Sequence, residues 1–263
     1  MNFGALIIGD EILSGRREDK HLVRVIAALE VRGLALSWAH YVGDEPARIV
    51  AELRAALAAG DTVFSFGGIG ATPDDHTRQC AAAALGVPLA LHPQARVLIE
   101  QRIVEMAAQR GQSADLSSAD SQRRLQMGVF PVGAEIIPNP YNRIPGFSVG
   151  HLHFMPGFPV MAHPMLDWLL DERYADEAGR PAPCVRAARV TGVGESELIP
   201  AFEQVEATFP GVRIFSLPSV DHPQYGRHIE LGVKGHDDPV EAFAALRAGL
   251  VVFGASLGPE LVR

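Results

Sequence analysis

The sequence has few cysteines, no long apolar run and no excess of positive charge. Its 263 residues include only two cysteines, Cys80 and Cys184, which excludes a disulfide framework or a multi-cysteine zinc site and indicates a reducing compartment. The apolar stretch from Phe3 to Ile8 is too short to span a bilayer and has no basic flank like that of a signal peptide. We therefore expect a cytoplasmic protein with no membrane association.

Charge and composition narrow the class of protein further. The net charge is −8 and the pI is near 5.7, which excludes a general electrostatic attraction to nucleic acid. Hydrophobic residues make up 48% and charged residues 21%, the usual balance of a globular protein rather than a disordered or fibrous one. A small anionic ligand remains compatible with an acidic chain, because backbone amides at the start of a helix can bind phosphate.

The first part of the chain alternates apolar strands with helices of 3.6-residue periodicity. The spacing predicts strands over 3–9, 34–42 and 61–66, and helices over 19–32, 46–59, 73–85, 93–109 and 161–170, with a short helix from about 118. Short turns between the first five elements imply parallel strands with right-handed crossovers. The proline-rich stretch 131–156 predicts turns and short strands. We expect an α/β domain over 1–174.

A second pattern begins after a proline- and glycine-containing linker at 172–183. It predicts strands over 185–193, 212–217 and 229–233 and helices over 196–208 and 239–250, which together form a small α+β domain over 184–263. The apolar segment from Phe253 to Leu257 fits two alternatives, a cover for this second domain or an oligomer contact.

The most informative segment is a glycine-rich turn directly after the third predicted strand. Gly67, Gly68 and Gly70 allow a tight turn and let backbone amides approach a ligand without interference from a Cβ. Thr72 then fits a helix N-cap, and Pro73 fits the first helical position. A strand, a glycine turn and a helix start at the carboxyl edge of a parallel sheet predict a ligand crevice.

Acidic residues gather at the same edge, and two interpretations are open. Asp74 and Asp75 either offset the positive end of a helix or hold a divalent cation, which would relieve the repulsion between them and a bound phosphate. Asp10 and Glu11 follow the first strand, where the alternative is a solvated turn. Asp44 follows the second strand, where the alternative is a helix cap. The convergence of three loops favours a metal-dependent diphosphate site.

Five motifs occur in order over roughly residues 3–170: GDEILSG at 9–15, GGIGATPDDHT at 67–77, PNP at 138–140, PGF at 145–147 and MPGFP at 155–159. In this combination the chain resembles the MoaB/Mog molybdopterin-binding family, and more closely the amino-terminal domain of CinA-type competence/damage-inducible proteins. Residues 190–197 and 209–220 resemble the small second domain of CinA-type proteins.

The resemblance implies a three-layer α/β/α fold with a mostly parallel sheet, whose glycine turn cradles the phosphate or pyrophosphate of a pterin or nucleotide. In Mog-like enzymes, acids matching Asp44 and Asp75 serve pterin adenylation with Mg2+ between ligand and protein. In CinA-like proteins, the matching domain is linked to divalent-metal-dependent hydrolysis of the ADP-ribose diphosphate bond, and a related domain acts on FAD. Such proteins tend to be oligomers, so we expect a homodimer or homotrimer.

These arguments define a predicted site and three hypotheses. Asp75, Asp44 and Asp74 are the predicted catalytic residues, and Asp75 and Asp74 the predicted ligands of Mg2+ or a similar ion. The predicted ligand-binding residues are Gly9, Asp10, Glu11, Ser14, Gly67, Gly68, Gly70, Thr72, Thr77, Asn139, Arg143, Pro145, Gly146, Pro156 and Gly157. The partner is a pterin or nucleotide diphosphate. The protein is a diphosphate hydrolase, a molybdopterin adenylyltransferase-like protein of molybdenum cofactor biosynthesis, or a non-catalytic binding or assembly protein.

The sequence departs from the CinA pattern at two points, and three residues outside the motifs also have side chains that can carry out chemistry. The sequence ends at Arg263 without the amidase domain of full-length CinA-type proteins, so we do not expect deamidation of nicotinamide nucleotides. Arg143 lies where small residues are more usual, and it either pairs with a phosphate or narrows the pocket. His151 and His153 alternate along a strand in a spacing compatible with a metal, although we expect packing for them, as for Cys80.

Overall fold

The computed structural model describes residues 2–177, 184–235 and 237–262. The chain divides into two compact units, Met1–Ala178 and Gly179–Arg263. The linker predicted over 172–183 lies partly outside the described residues. In the part of the chain that the structure describes, no helix is both long enough and apolar enough to cross a membrane.

The first unit begins with the predicted alternation of strands and helices. Its first elements are β1 (Phe3–Ile8), α1 (Asp10–Leu13), α2 (His21–Glu30), β2 (Leu36–Val42), α3 (Pro46–Ala59) and β3 (Thr62–Phe66). Every residue of β1 and of β3 is buried, as expected for strands that are covered on both faces. The predicted bounds of α3 are confirmed, because Pro46 starts the helix and Gly60 ends it in the left-handed conformation.

The remaining elements of the first unit complete a six-stranded sheet. They are α4 (Thr77–Leu85), β4 (Leu89–Leu91), α5 (Pro93–Gln109), α6 (Ala119–Leu125), β5 (Val129–Pro131), β6 (Glu135–Ile137), β7 (Gly146–Val149), β8 (Leu152–Met155) and α7 (Pro159–Arg173). The strand order is β2-β1-β3-β8-β7-β6, and β4 pairs with β5 separately. Strands β2, β1, β3, β8 and β6 run in the same direction, and β7, between β8 and β6, is antiparallel to both of its neighbours. The prediction of a mostly parallel sheet is confirmed.

Helices cover both faces of this sheet. Alternate residues of a strand point to opposite faces, so Leu6 and Ile8 of β1 join a core with residues of α3 and α4, whereas Ile7 joins a core with residues of α2 and α7. The three-layer α/β/α arrangement implied by the family resemblance is confirmed.

The start of α4 differs from the prediction. The sequence predicts a helix from Pro73 with Thr72 as its N-cap, but α4 begins at Thr77 and His76 precedes it. The side chain of Asp75 explains the difference, since its Oδ2 accepts hydrogen bonds from the Thr72 amide at 2.8 Å and the Thr72 hydroxyl at 2.6 Å. These bonds close a separate turn before the helix.

The second unit is a small α+β domain, as predicted. Its elements are β9 (Cys184–Thr191), α8 (Ile199–Thr208), β10 (Arg213–His222), β11 (Gly226–Gly235), α9 (Val240–Val252) and β12 (Ser256–Val262), with sheet order β10-β11-β9-β12. Neighbouring strands are antiparallel. Of the two alternatives for the apolar segment after Phe253, cover for this domain is confirmed. Leu257 lies in β12, pairs with Val190 and packs against the core.

Of the three side chains expected to be packed, His153 and Cys80 lie in the interior of the first unit, whereas His151 precedes β8 and is exposed, so the expectation for His151 is wrong. His153 is fully buried in β8, with Nδ1 2.8 Å from the Ser148 hydroxyl oxygen and Nε2 2.6 Å from that of Tyr174. Burial lowers the pKa of His153 to about 3, so the imidazole is neutral at neutral pH. Cys80 is buried on α4, and burial raises the pKa of its thiol to about 11.

Candidate functional site

A cavity of about 720 Å³, here called the crevice, lies at the carboxyl ends of the parallel strands. Its walls come from the loops that follow four strands, with Gly9 after β1, Asp44 after β2, Gly67 after β3 and Pro156 after β8. Loops that leave the carboxyl ends of parallel strands meet at one edge of the sheet, where α/β proteins bind ligands. The fold therefore brings together segments that are far apart in the sequence.

The glycine turn has a conformation that only glycine adopts without strain. Gly67 has φ 102° and Gly68 has φ 68°. A Cβ on Gly67 would collide with the carbonyl oxygen of Ile8, and a Cβ on Gly68 would collide with the Thr77 hydroxyl oxygen. The buried Thr77 hydroxyl donates to the Gly67 carbonyl oxygen at 3.1 Å, and the Thr77 amide donates to that of Gly68 at 3.0 Å. The turn is thus held in place from behind.

Five carboxylates line the crevice: Glu11, Glu18, Asp44, Asp74 and Asp75. Asp44 Oδ2 accepts a hydrogen bond from the Asp10 amide at 2.9 Å, which joins the loops after β1 and β2. The helix-cap alternative for Asp44 is therefore wrong. Burial raises the pKa of Asp44, and the nearby carboxylates of Asp10, Glu11 and Asp74 raise it further. The crevice thus has a concentrated negative potential that favours a bound cation.

The donor set fits a hard divalent cation such as Mg2+. All five side chains offer carboxylate oxygens, the ligand type that Mg2+ prefers, and Mg2+ is usually held by one or two carboxylates together with phosphate oxygens of the substrate. Within residues 2–177, 184–235 and 237–262, no three Asp, Glu, His or Cys side chains are arranged to hold an ion alone. The residues suit a cation that is shared with a ligand rather than enclosed by protein.

Aromatic and basic side chains also line the crevice. The His21 ring stacks on Phe66 with ring centroids 4.5 Å apart, and its Nε2 lies 3.2 Å from the Gly157 carbonyl oxygen. Burial lowers the pKa of His21, so this imidazole is neutral at neutral pH. The Arg17 guanidinium lies 5.6 Å from the centre of the Phe158 ring. Sequence analysis did not identify His21, because nothing in the spacing of His21 and Phe66 indicates that they meet.

The predicted site residues fall into three groups. Those that line the crevice are Gly9, Glu11, Asp44, Gly67, Gly68, Gly70, Thr72, Asp74, Asp75, Pro156 and Gly157. Asp10 and Thr77 support the loops from behind. The residues that do not line it are Ser14, Asn139, Arg143, Pro145 and Gly146. The glycine turn and its acids are thus brought together, and the 138–146 segment is not.

The 138–146 segment is held by contacts within the protein. Asn139 is buried and forms hydrogen bonds with its own turn. Arg143 forms an ion pair with Glu105 of α5, with 3.0 Å between nitrogen and oxygen. Gly146 lies in β7, where a Cβ would collide with the Phe154 carbonyl oxygen. A ligand-binding role for these residues stays a prediction, and their contacts give each one a structural explanation.

Comparison with known proteins defines the class. The family model described as "Probable molybdopterin binding domain" matches residues 4–175. The chain therefore belongs to the molybdopterin-binding domain family, as the motifs predicted.

Particular relatives are CinA-like. The chain is 34% identical over 196 residues to a CinA-like protein of Anaeromyxobacter sp. (strain Fw109-5), covering 73% of this chain and 45% of that protein. It is 30% identical over 271 residues to a CinA-like protein of Geobacter sulfurreducens, covering 100% of this chain and 61% of that protein. The crystal structure of "the protein CinA with unknown function" from Thermoplasma acidophilum matches with a TM-score of 0.55 and 26% identity, over 65% of this chain and 98% of that one. The chain thus spans between 45% and 61% of the length of these two curated relatives.

Proposed function

We propose that the crevice binds the diphosphate group of a nucleotide together with a divalent cation, and that the protein hydrolyses the diphosphate bond of ADP-ribose or FAD. The observation that carries this proposal is the placement of the glycine turn and five carboxylates around one cavity of about 720 Å³. That volume is within the usual range of about 300–1,000 Å³ for small-molecule sites.

The glycine turn supplies a rigid anion cradle. Its amides approach a phosphate without Cβ atoms in the way, and the bonds from Thr77 to the carbonyl oxygens of Gly67 and Gly68 hold the turn in place before a ligand arrives. Donors that are already oriented stabilise charge that develops in a transition state without further reorganisation. The turn therefore suits a diphosphate whose phosphoryl oxygens gain charge during hydrolysis.

The acidic end supplies the cation site. Asp74 and Asp75 would hold the ion together with phosphate oxygens of the ligand, and a bound divalent cation polarises phosphoryl oxygens and lowers the pKa of a bound water. The side chain of Asp75 is held in place, because its Oδ2 accepts two hydrogen bonds from Thr72. We therefore assign Asp75 the principal role.

The test measures AMP release from ADP-ribose and FAD with Mg2+, Mn2+ or Co2+, with and without a chelator. We expect metal-dependent AMP formation that falls about a hundredfold or more in Asp75→Asn. Asparagine keeps an oxygen that accepts the Thr72 hydrogen bonds, so the turn is retained while the charge is removed. Asp171→Asn is the matched control, because Asp171 lies on α7 and pairs with Arg32. Equal turnover by Asp75→Asn and wild type would refute the assignment.

A pterin is the second candidate ligand, and the family description favours it. The same turn and acids would then bind molybdopterin with Mg2+, and with ATP the expected products are an adenylated pterin and pyrophosphate. Absence of AMP release from ADP-ribose and FAD, together with pterin binding that depends on Asp75, would favour this candidate. Binding without any product would indicate a sequestering protein.

The expected dimer or trimer is also part of the proposal. Light scattering of the protein as it elutes from a size-exclusion column gives its molar mass directly. A value of 28.2 kDa, the mass of one chain, would refute the expected dimer or trimer.

A further inference from the structure

A second cavity, here called the basic pocket, adjoins the crevice. Its volume is about 340 Å³, and Ala71, Thr72 and Asp75 line both cavities, so the turn before α4 separates them. The other polar residues that line the basic pocket are His76, Arg78, Gln79, Arg123 and Gln126.

Arg78 places a buried positive charge in this pocket. Only 5% of Arg78 is exposed, and its guanidinium donates to the carbonyl oxygens of Gly70, at 2.6 Å, and Gln126. These bonds satisfy the guanidinium as a donor but do not neutralise its charge. A buried charge is costly without a countercharge, and the nearby acid is Asp75, which also accepts two bonds from Thr72. Arg78 therefore attracts a further anion.

Arg123 adds a second and uncommitted cation. It lies on α6 with an exposed side chain, and within the described part of the chain that side chain makes no hydrogen bond or salt bridge. Its recorded electrostatic partner is the carboxylate of Asp120, on its own helix. A flexible exposed arginine beside a fixed buried one can close on a phosphate, to which guanidinium groups bind with paired hydrogen bonds.

The residues that line the two cavities differ in the sign of their net charge. The crevice has five acids and two permanent cations, Arg17 and Lys20, whereas the basic pocket has the single acid Asp75 and two arginines. The crevice requires a cation before it can accept an anion. The basic pocket does not, and it also lies at the amino end of α4, where the helix dipole favours negative charge.

From this contrast we infer that the basic pocket is a phosphate-binding site, held by Arg78 and Arg123 and separated from the crevice by Thr72 and Asp75. Two sources can supply the phosphate group. It is a free phosphate ion, or it belongs to a ligand that also occupies the crevice and reaches across the turn. Binding requires no divalent cation and no turnover, so this inference does not depend on the proposed hydrolysis.

Calorimetric titration of the full chain with inorganic phosphate, in the presence of a chelator, tests the inference. We expect one phosphate per chain and an affinity about tenfold weaker in Arg123→Gln, as for the loss of one charge-assisted hydrogen bond. Arg110→Gln is the matched control, since Arg110 is also exposed and also attracted by Asp120 but does not line the pocket. Arg78 is not the first target, because its loss would release the Gly70 carbonyl and disturb the glycine turn.

Two results would overturn the inference: no binding of phosphate by the wild type, or the same affinity in Arg123→Gln and Arg110→Gln. A second titration with saturating ADP-ribose distinguishes the two sources. Unchanged phosphate affinity supports a site for the free ion, whereas competition that is weakened by Arg123→Gln supports a site for the ligand's own phosphate. Metal-dependent AMP release without phosphate binding would refute this inference and leave the proposed hydrolysis intact, and the reverse pattern would refute only the hydrolysis.

Discussion

The glycine turn at 67–77 and the loop at 138–146 have similar compositions, with glycine, proline and polar residues in both. Sequence analysis predicted ligand binding for both, yet they have different surroundings. The first follows β3, a parallel strand inside the sheet, and lines the crevice. The second connects β6 and β7, an antiparallel pair at the edge of the sheet. Residue types alone do not distinguish a ligand loop from a structural one. Strand β6 runs in the same direction as β3, so both loops leave the same edge of the sheet. The loops differ in the place of their strands in the sheet, because β8 and β7 lie between β3 and β6.

The two segments also differ in where their internal hydrogen bonds lie. In the glycine turn, the supporting bonds come from Thr77 behind the loop, so the front of the turn faces the crevice. In the 138–146 loop, the buried Asn139 donates to Asn142 and Ile144 and accepts from Tyr141. The Asn139 side chain thus forms its hydrogen bonds with residues of its own loop. We therefore expect changes there to affect stability rather than binding.

Truncation of Asn139 is the largest expected stability effect. Asn139→Ala removes hydrogen bonds of 2.8, 2.9 and 3.1 Å at a residue only 5% exposed, and we expect a loss of about 3 kcal/mol in unfolding free energy. Both tryptophans, Trp38 and Trp168, lie in the first unit, so their fluorescence during denaturation reports that unit. Nucleotide affinity of the folded variant should equal that of the wild type.

The matched control for this change is Asn2→Ala, because Asn2 is exposed and makes one bond of 3.2 Å to Asp61. It should change the unfolding free energy by less than about 0.5 kcal/mol. If Asn139→Ala remained as stable as the control but lost nucleotide binding, the 138–146 loop would be a ligand loop after all.

Acid should destabilise the antiparallel strands β7 and β8 through His153, which lies in β8. Its pKa is about 3 in the folded protein and 6.5 when unfolded, so the unfolded chain binds the extra proton between these values. Stability is complete above pH 6.5 and falls with pH below it, by up to about 2.7 kcal/mol at pH 4.5 from this group. Tryptophan-monitored unfolding at several pH values should show a shallower slope in His153→Gln. The exposed His151→Gln should keep the wild-type slope, and identical slopes in all three proteins would contradict the assignment.

Substitution of Arg143 has the smallest expected effect on the unfolding free energy. Its ion pair with Glu105 is substantially exposed, so Arg143→Gln should cost less than about 0.5 kcal/mol. Because Arg143 does not line the crevice, the affinity for ADP-ribose should remain within twofold of the wild type. A tenfold loss, measured by the same calorimetric titration, would instead support the phosphate contact that the sequence suggested.

Local signals explain which elements were predictable. The bounds of α3 and α5 were predicted because Pro46 and Pro93 start these helices, and such signals act on adjacent residues. The start of α4 was wrong because Asp75 binds Thr72 and forms a turn that competes with the helix. Strand β12 was not predicted as a strand, since its stability comes from pairing with β9, far away in the sequence.

The candidate site was predictable to a similar degree. Acids and glycines directly after parallel strands could be placed at one edge from the order of elements alone. The contacts of His21 with Phe66 and of Arg143 with Glu105 depend on how helices pack, and no short-range pattern encodes them. Sequence analysis was therefore reliable for the loops after β1, β2 and β3 and unreliable for the 138–146 loop and for side chains that meet across layers.

The chain has one cysteine in each unit, and this distribution makes the protein its own reporter of local opening. Cys80 is buried with a pKa of about 11, so an alkylating reagent reaches its thiolate only when the first unit opens. Cys184, at the start of β9, is only partly buried and belongs to the second unit. Timed alkylation followed by peptide mass analysis would give the opening rate of the first unit from Cys80, with the accessible thiol of Cys184 as a reference in the same tube, without any engineered label.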